Sequence, residues 1–307
     1  PYHLGFILGP RINAGGRIGN AALGATLLST TDDVEAQRIA ELLNRLNKER
    51  KDIETLMLEE ALAVADRQMT DDPSRAIIVV ASETWHKGIV GLVASRLVER
   101  FRRPACVIAW ENETSRGGDG TGSLRSIPGV DLGSAVRAAV AAGLLLKGGG
   151  HAMAAGLTVS RQGLAALEQH FQAHLGQTTA SASDAAGLDI DASLVASGAT
   201  AELMDLIERV SPFGQGNSEA RFVLPAHRVK FAKLVGEAHV RALLEGGDGA
   251  RIDAIAFRAA GQPLGDMLMS AGGMPLHIAG HLRRDTWGGR DRIELQIEDA
   301  ADPRRQS

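Results

Sequence analysis

SRAIIVVASETWHKGIVGLVASRLVERFRRPACVIAWE, Ser74 to Glu111, sets an apolar run of strand length on each side of a helical pattern. "SRAIIVVAS" and "PACVIAWE" read as buried strands and "GIVGLVASRLVERF" as a helix, so the segment is a β-α-β unit with a parallel pair. Downstream follow a glycine-spaced strand, "GDGTGSLRSI", a helical "VDLGSAVRAAVAAG", the glycine-rich "LLLKGGGHAMAAGLTV" and an amphipathic "RQGLAALEQHFQAHL". Together these predict one α/β domain over 73–175.

Upstream, "TTDDVEAQRIAELLNRLNKERKDIETLMLEEALAVADRQM" contains no Gly or Pro. Asp32 with Glu35 makes a capping box, and Ile39, Leu42, Leu43, Leu46, Ile53, Leu56, Met57 and Val64 recur at helical spacing. Such a helix spans roughly 50 Å, more than one small domain needs, and reads as a connecting strut over 32–72. An ordinary amphipathic core helix is the other reading. Past 175, "GQTTASASDAAG" is small, polar and aperiodic, which predicts a linker over 176–188. Beyond it "RFVLPAHRVKF", "HVRALLEG", "RIDAIAF", "LHIAGHLRR" and "RIELQIE" are strand-like, and they suggest a small barrel of the oligonucleotide-binding type over 189–300, with a tail at 301–307.

The 307 residues, 44% of them hydrophobic, suffice for two or three domains with real cores. One cysteine, Cys106 within an apolar run, excludes disulfides and cysteine-based metal sites and agrees with a reducing compartment. No unbroken apolar run has the length of a membrane span, so the expected location is cytoplasmic. The chain begins at Pro1 with "LGPRINAGGRIG" close behind, and it reads as a fragment of something larger. The formal charge of −4 gives no overall basic footprint. Met69 to Leu175, however, carries 11 Lys/Arg against 9 Asp/Glu, and Arg209 to Ser307 carries 14 against 12, which leaves room for local basic surfaces.

Several residues suit phosphate chemistry. Gly148, Gly149 and Gly150 can take positive φ and expose successive N–H groups, with His151 as a further donor. A plain helix-to-strand turn needs fewer glycines and no histidine. Ser123 and Arg125, two apart on a strand, share one face and pair a hydroxyl with a guanidinium fork, although a solvated face has the same pattern. His86 lies just before a helix N-terminus, a position that favours anions. Arg11, Asn13 and Arg17 stand among glycines in "GPRINAGGRIG". The remaining histidines show no ligand spacing with carboxylates, and neither a Walker loop nor a dinucleotide fingerprint occurs, so no metal site is expected in this chain.

In order, "GPRINAGGR", "WHKGIVGLVASRL", "GSLRSIPG", "GGGHAMAAG" and "SPFGQGNSEARF" resemble the C-terminal motifs of the RecJ family of single-strand-specific DNA exonucleases, in the DHH phosphoesterase superfamily. The resemblance covers nearly the whole chain. It implies a DHH-associated α/β domain with a mixed sheet, then an all-β oligonucleotide-binding barrel, both preceded by a long connecting helix. Residues 1–31 then correspond to the end of the metal-binding DHH lobe. No "DHH" triplet occurs in the 307 residues, so manganese or magnesium is expected in the intact enzyme and no cofactor in this chain.

By the same resemblance Gly149, Gly150 and His151 hold the scissile or neighbouring phosphate, with His151 the catalytic candidate. Ser123 and Arg125 receive the 5′ end, and His86 supports them. Arg11, Asn13 and Arg17 join the substrate contacts. The barrel tracks the strand, with Trp287 in "DTWGGRD" as the exposed stacking residue and Phe213, Phe222, Phe231 and Phe257 read as core. The implied partners are single-stranded DNA, the missing N-terminal lobe, and a single-strand-binding protein or helicase, with no membrane. The function expected is that of the substrate-binding half of a 5′-to-3′ single-strand exonuclease, inactive alone. A stand-alone single-strand-binding or regulatory module and an RNA-recognition domain are the other readings.

Overall fold

The computed structural model describes residues 3–111, 118–184, 187–214, 216–285 and 292–304. It divides into two compact units, Pro1–Ala186 and Gly187–Ser307. No helix among the described residues is long and apolar enough to cross a membrane.

The first unit opens on a π-helical turn, His3–Leu8, followed by α1 (Gly9–Ile18), α2 (Ala22–Ser29) and α3 (Asp33–Asp71). The "GPRINAGGR" stretch is therefore helical, with Pro10 in the first turn, where a missing N–H costs no hydrogen bond. Its Gly15 permits close packing, since a Cβ there would lie 3.2 Å from Leu43 Cδ2 and 2.7 Å from Asn20 O. α3 is one uninterrupted helix of 39 residues, about 58 Å long. Asp32 caps it by accepting from Val34 N and Glu35 N. Glu35 does not complete a capping box, because Arg38 takes its carboxylate. Ile39, Leu43 and Met57 are buried as their spacing predicts, as are Ala61 and Ala65, which the pattern did not include, whereas Leu56 stays exposed.

The β-α-β unit is present as β1 (Ile78–Ser82), α4 (Val90–Phe101) and β2 (Ala105–Trp110), with β1 and β2 parallel. β3 (Gly120–Arg125), α5 (Leu132–Ala141), β4 (Lys147–Gly150), β5 (Ala154–Val159) and α6 (Leu164–Asp184) complete the domain. The sheet order is β1-β2-β3-β5-β4, antiparallel after β2, so the sheet is mixed. One core lies between the sheet and α5 and α6, around Leu124, Leu132, Val136 and Phe171. A second joins α3 and α4 to the other face, around Ile78, Val93, Leu97 and Val107. α4 covers β2 and β3 there, and α3 packs on β1. On that face β3 alternates cleanly, with Thr121, Ser123 and Arg125 half-buried, and β5 continues it with the exposed Gly156.

α6 runs through most of the stretch expected to be a linker. Leu175 and Thr179 are buried and Ala182 packs on the core, a face spaced four and three residues apart. Those contacts sustain the helix although Thr and Ala carry little hydrophobic signal.

The second unit is a five-stranded closed barrel of β7 (Phe222–Val235), β8 (His239–Glu245), β9 (Arg251–Ala256), β10 (Pro275–Asp285) and β11 (Arg292–Ala301). β10 pairs with both β11 and β7, which closes the sheet, and β9 pairs in parallel with β11. A two-residue strand, β6 (Ala192–Ser193), adds to β7. α7 (Ala201–Arg209) precedes the barrel, and α8 (Pro263–Ser270) joins β9 to β10. Leu224, Val240, Leu244, Ala254, Ile278 and Leu295 fill its interior.

Candidate nucleic-acid interface

Ser123 and Arg125 project from β3 on its half-open face. Arg125 Nη1 donates to Ser123 Oγ at 3.0 Å and to Leu124 O at 2.8 Å. The first turn of α4 stands against this pair, for a Cβ at Gly91 would lie 3.0 Å from Arg125 Nη2 and 3.1 Å from Ser123 Oγ. A helix N-terminus there adds N–H dipoles to the guanidinium and hydroxyl.

The loop before α4 brings in a second guanidinium. Gly88 presses against Arg17, where a Cβ would fall 1.9 Å from Arg17 O, so a side chain has no room. Arg17 Nη1 donates to Gly88 O at 3.4 Å. Gly88 N donates to His86 Nδ1 at 3.1 Å, which makes Nδ1 an acceptor and puts the proton of the neutral ring on Nε2. His86 thus braces the loop that meets Arg17. Burial and then the positive charge of Arg17 push the Arg125 guanidinium below its ordinary pKa. Among the described residues no carboxylate pairs with Arg17 or Arg125. Two close, uncompensated cations repel each other and favour an anion between them.

The glycine motif differs from the expected loop. Lys147–Gly150 is an edge strand, with Gly149 opposite Gly156 and Gly150 opposite Ala155, and His151 N donates to Ala154 O at 2.8 Å in the bend that follows. Of its three glycines only Gly150 has positive φ, at 153°, and a Cβ there would lie 2.4 Å from Ala155 Cα. Gly149 has open space where a side chain would be. The first turn of α5 packs on the bend, since a Cβ at Gly133 would meet Gly150 O at 2.9 Å.

Strand register ties the two clusters together. Ser123, Gly156 and Gly149 stand in one row across β3, β5 and β4, while Arg125 lies opposite Ala154, next to His151. Paired residues share a face, so Ser123, Arg125, Gly149 and His151 line the same side of the sheet. The absent side chain of Gly156 leaves a flat floor between them. The next row, Thr121, Thr158 and Lys147, extends the polar face and was not singled out from the sequence.

The structure does not bring every candidate here. Asn13 is exposed on α1, one turn before Arg17. Arg11 faces elsewhere: its Nε donates to Asn44 Oδ1 at 3.0 Å, in a pocket with Arg45, Asn47, Lys48 and Lys51. Trp287 lies outside the described residues. Phe222 is core, as expected, but Phe231 and Phe257 are 54% and 51% exposed. A register shift between Val229 and Phe231 turns Phe231 outward, which plain alternation could not reveal. Lys233 Nζ lies over the Phe231 ring at 5.9 Å, and His239 stands edge-on to Phe257 at 5.1 Å. Phe231 on β7 and Phe257 just after β9 thus offer exposed aromatic surface, with Lys233 beside the first.

Family models match both units: a DHHA1 domain over residues 74–177 and a RecJ OB domain over 190–299. The chain belongs to the RecJ family. It is 36% identical over 265 residues to the single-stranded-DNA-specific exonuclease RecJ of Escherichia coli, a match that covers 83% of this chain and 44% of that protein. The RecJ of Bacillus subtilis is 30% identical over 300 residues, covering 97% and 36%. The crystal structure of Thermus thermophilus RecJ in complex with Mg2+ superposes with a TM-score of 0.78 at 28% identity, over 99% of this chain and 44% of that one. This RecJ-family chain therefore spans less than half the length of those relatives. A second T. thermophilus structure contains Mn2+. Among the described residues of this chain, no group of three or more His, Cys, Asp or Glu side chains could hold such an ion. The described residues do not fit a metal site.

Proposed function

We propose that this chain is the substrate-gripping part of a RecJ-type 5′-to-3′ single-strand exonuclease. Arg17, Ser123 and Arg125 receive the phosphate at the 5′ end, under the first turn of α4. Gly149 and Gly150 let the next phosphate approach the backbone of β4, and exposed His151 supplies a donor beside it. The observation that carries this reading is the convergence of two uncompensated guanidiniums, a hydroxyl and a helix N-terminus on a sheet face floored by glycine.

These groups position the strand and hold its charge; they do not activate water. Orientation of this kind is a large part of the catalysis of phosphoryl and phosphodiester chemistry. The barrel supplies the stacking surface, in keeping with the strand face that oligonucleotide-binding folds use. Phe231 and Phe257 offer stacking rings in addition to the expected Trp287.

The test is a two-by-two comparison at fixed salt of wild type and Arg125→Ala against 5′-phosphorylated and 5′-hydroxyl single strands. Charge-assisted hydrogen bonds contribute about 1.5–3 kcal/mol each, so the phosphorylated strand should lose roughly ten- to a hundred-fold and the hydroxyl strand much less. Equal losses would make Arg125 a general backbone contact. A stand-alone binding module would make the same contacts, and digestion of a 5′-labelled strand separates the two. Without the metal lobe, the 307 residues should release no mononucleotides.

A further inference from the structure

The pocket beside Arg11 is separate from the groups around Ser123 and Arg125. It has a volume of about 240 Å³ and is lined by Arg11, Asn44, Arg45, Asn47, Lys48 and Lys51. On α3 positions 44, 47, 48 and 51 recur at helical spacing and form one stripe, which Arg11 of α1 closes.

Every lining residue carries a donor. Arg11 is fixed by bonds from Nε to Asn44 Oδ1 at 3.0 Å and from Nη1 to Ile7 O at 2.7 Å. The first of these bonds occupies the Asn44 oxygen and leaves its NH2 group for the pocket. Asn47 is 4% exposed, and its oxygen accepts from Arg50 Nη2 at 2.9 Å, so its NH2 group is again the remaining function. Among the described residues no carboxylate pairs with Arg11, Arg45, Lys48 or Lys51; Glu41 and Glu54, on the same helix, bond Gln37 and Arg50. Four cations without an ion-pair partner among the described residues repel one another and favour an anion between them.

We propose that this pocket binds a phosphate group. A carboxylate presents two oxygens in one plane, fewer acceptors than these donors offer, whereas a tetrahedral phosphate accepts from several directions at once. The source is either the backbone of a bound strand or a free phosphate compound, and both have this chemistry. The inference does not depend on the 5′-end reading, because the two sites share no residue.

The test compares the wild-type chain with Lys48→Gln/Lys51→Gln, Lys48→Arg/Lys51→Arg and Arg125→Ala. Calorimetry at low salt measures pyrophosphate, and anisotropy measures a 5′-hydroxyl single strand of a dozen bases across a salt series. If the source is a strand, the Gln pair weakens strand binding about ten-fold and lowers the slope of log K against log salt by about 0.7 for each phosphate that the lysines no longer neutralise. The Arg pair should retain binding. Loss of pyrophosphate binding alone supports a free phosphate compound as the ligand. If the Gln pair binds both as wild type does, no phosphate occupies the pocket and the proposal fails. An independent loss with Arg125→Ala on a phosphorylated end would still stand, so the two sites are judged separately.

Discussion

Gly91→Ala separates folding from binding, because its effects on the two have opposite signs. Gly91 lies in the first turn of α4, outside the positive-φ residues, so alanine fits its backbone and gains up to about 0.5–1 kcal/mol of helix propensity. The added methyl would stand 3.0 Å from Arg125 Nη2 and 3.1 Å from Ser123 Oγ, tighter than an ordinary contact. Those are side-chain atoms, so they yield by a few tenths of an ångström and the fold survives. The methyl also covers the two donors from the side of the helix N-terminus. Loss of one charge-assisted hydrogen bond is about 1.5–3 kcal/mol, so affinity for a 5′-phosphorylated strand should fall roughly ten-fold or more, with a thermal midpoint equal to or above wild type. Calorimetric titration with a short 5′-phosphorylated strand, paired with thermal unfolding, measures both. Wild-type affinity in a protein of unchanged or higher midpoint would refute the placement of the phosphate under α4.

Phe231→Ala and Phe257→Ala should each weaken binding of a long single strand by about 1–3 kcal/mol if a base stacks there, with no change in salt slope; anisotropy at two salt concentrations checks it, and wild-type affinity in both excludes that face. Removing everything after Gly187 should weaken binding while leaving most of the salt slope in place, and a slope that collapses with the barrel would put the phosphate contacts on the wrong unit. Glu298 is subject to burial, which raises its pKa, but the hydrogen bond and charge of Arg221 and the charge of His281 outweigh burial and hold it below its ordinary value. With the folded value depressed, its contribution is complete above the ordinary carboxylate pKa, about pH 4–5, and is lost as pH falls through the folded value. Thermal midpoints between about pH 5 and 3 should therefore drop more steeply in wild type than in Glu298→Gln, and parallel curves would contradict this.

The elements were legible where side-chain pattern and packing agree. Ile77 to Val80 and Ala105 to Ala109 are buried on both faces, so a continuous apolar run was a sufficient signal. Ile293, Leu295 and Ile297 alternate and form a barrel strand, as their period requires. The tail of α6 was illegible because Thr179 and Ala182 hold it with small side chains. Phe231 was misread because a bulge reverses the face of β7, and bulges leave no mark in the alternation before them. The pairing of Arg17 with Arg125 was beyond reach for another reason. More than a hundred residues separate them, and what joins them is the lack of a side chain at Gly88 and Gly91, which in sequence are merely the punctuation of a helix start.

The net charge of −4 conceals an unequal distribution of compensation. In the barrel Arg221, Lys230, Arg241, Arg251, Arg283 and Arg284 each lie against a carboxylate. In the first unit Arg38, Arg50, Arg75, Lys87, Arg96 and Arg161 are paired as well, but Arg11, Arg17, Arg45, Lys48, Lys51, Arg125 and Lys147 have no carboxylate partner among the described residues, nor have Arg228, Lys233 and Arg258 of the barrel. A paired surface cation contributes little field and must surrender its partner before it can take a phosphate, whereas an unpaired one offers its full charge at once. On the reading proposed above, most of the salt dependence of binding would come from the α/β unit, with Arg228, Lys233 and Arg258 of the barrel adding to it. The barrel offers exposed rings instead, whose attraction to bases is insensitive to salt. On the same reading, the two units would have different tasks on one strand: charge at the end that is held, stacking along the length that follows.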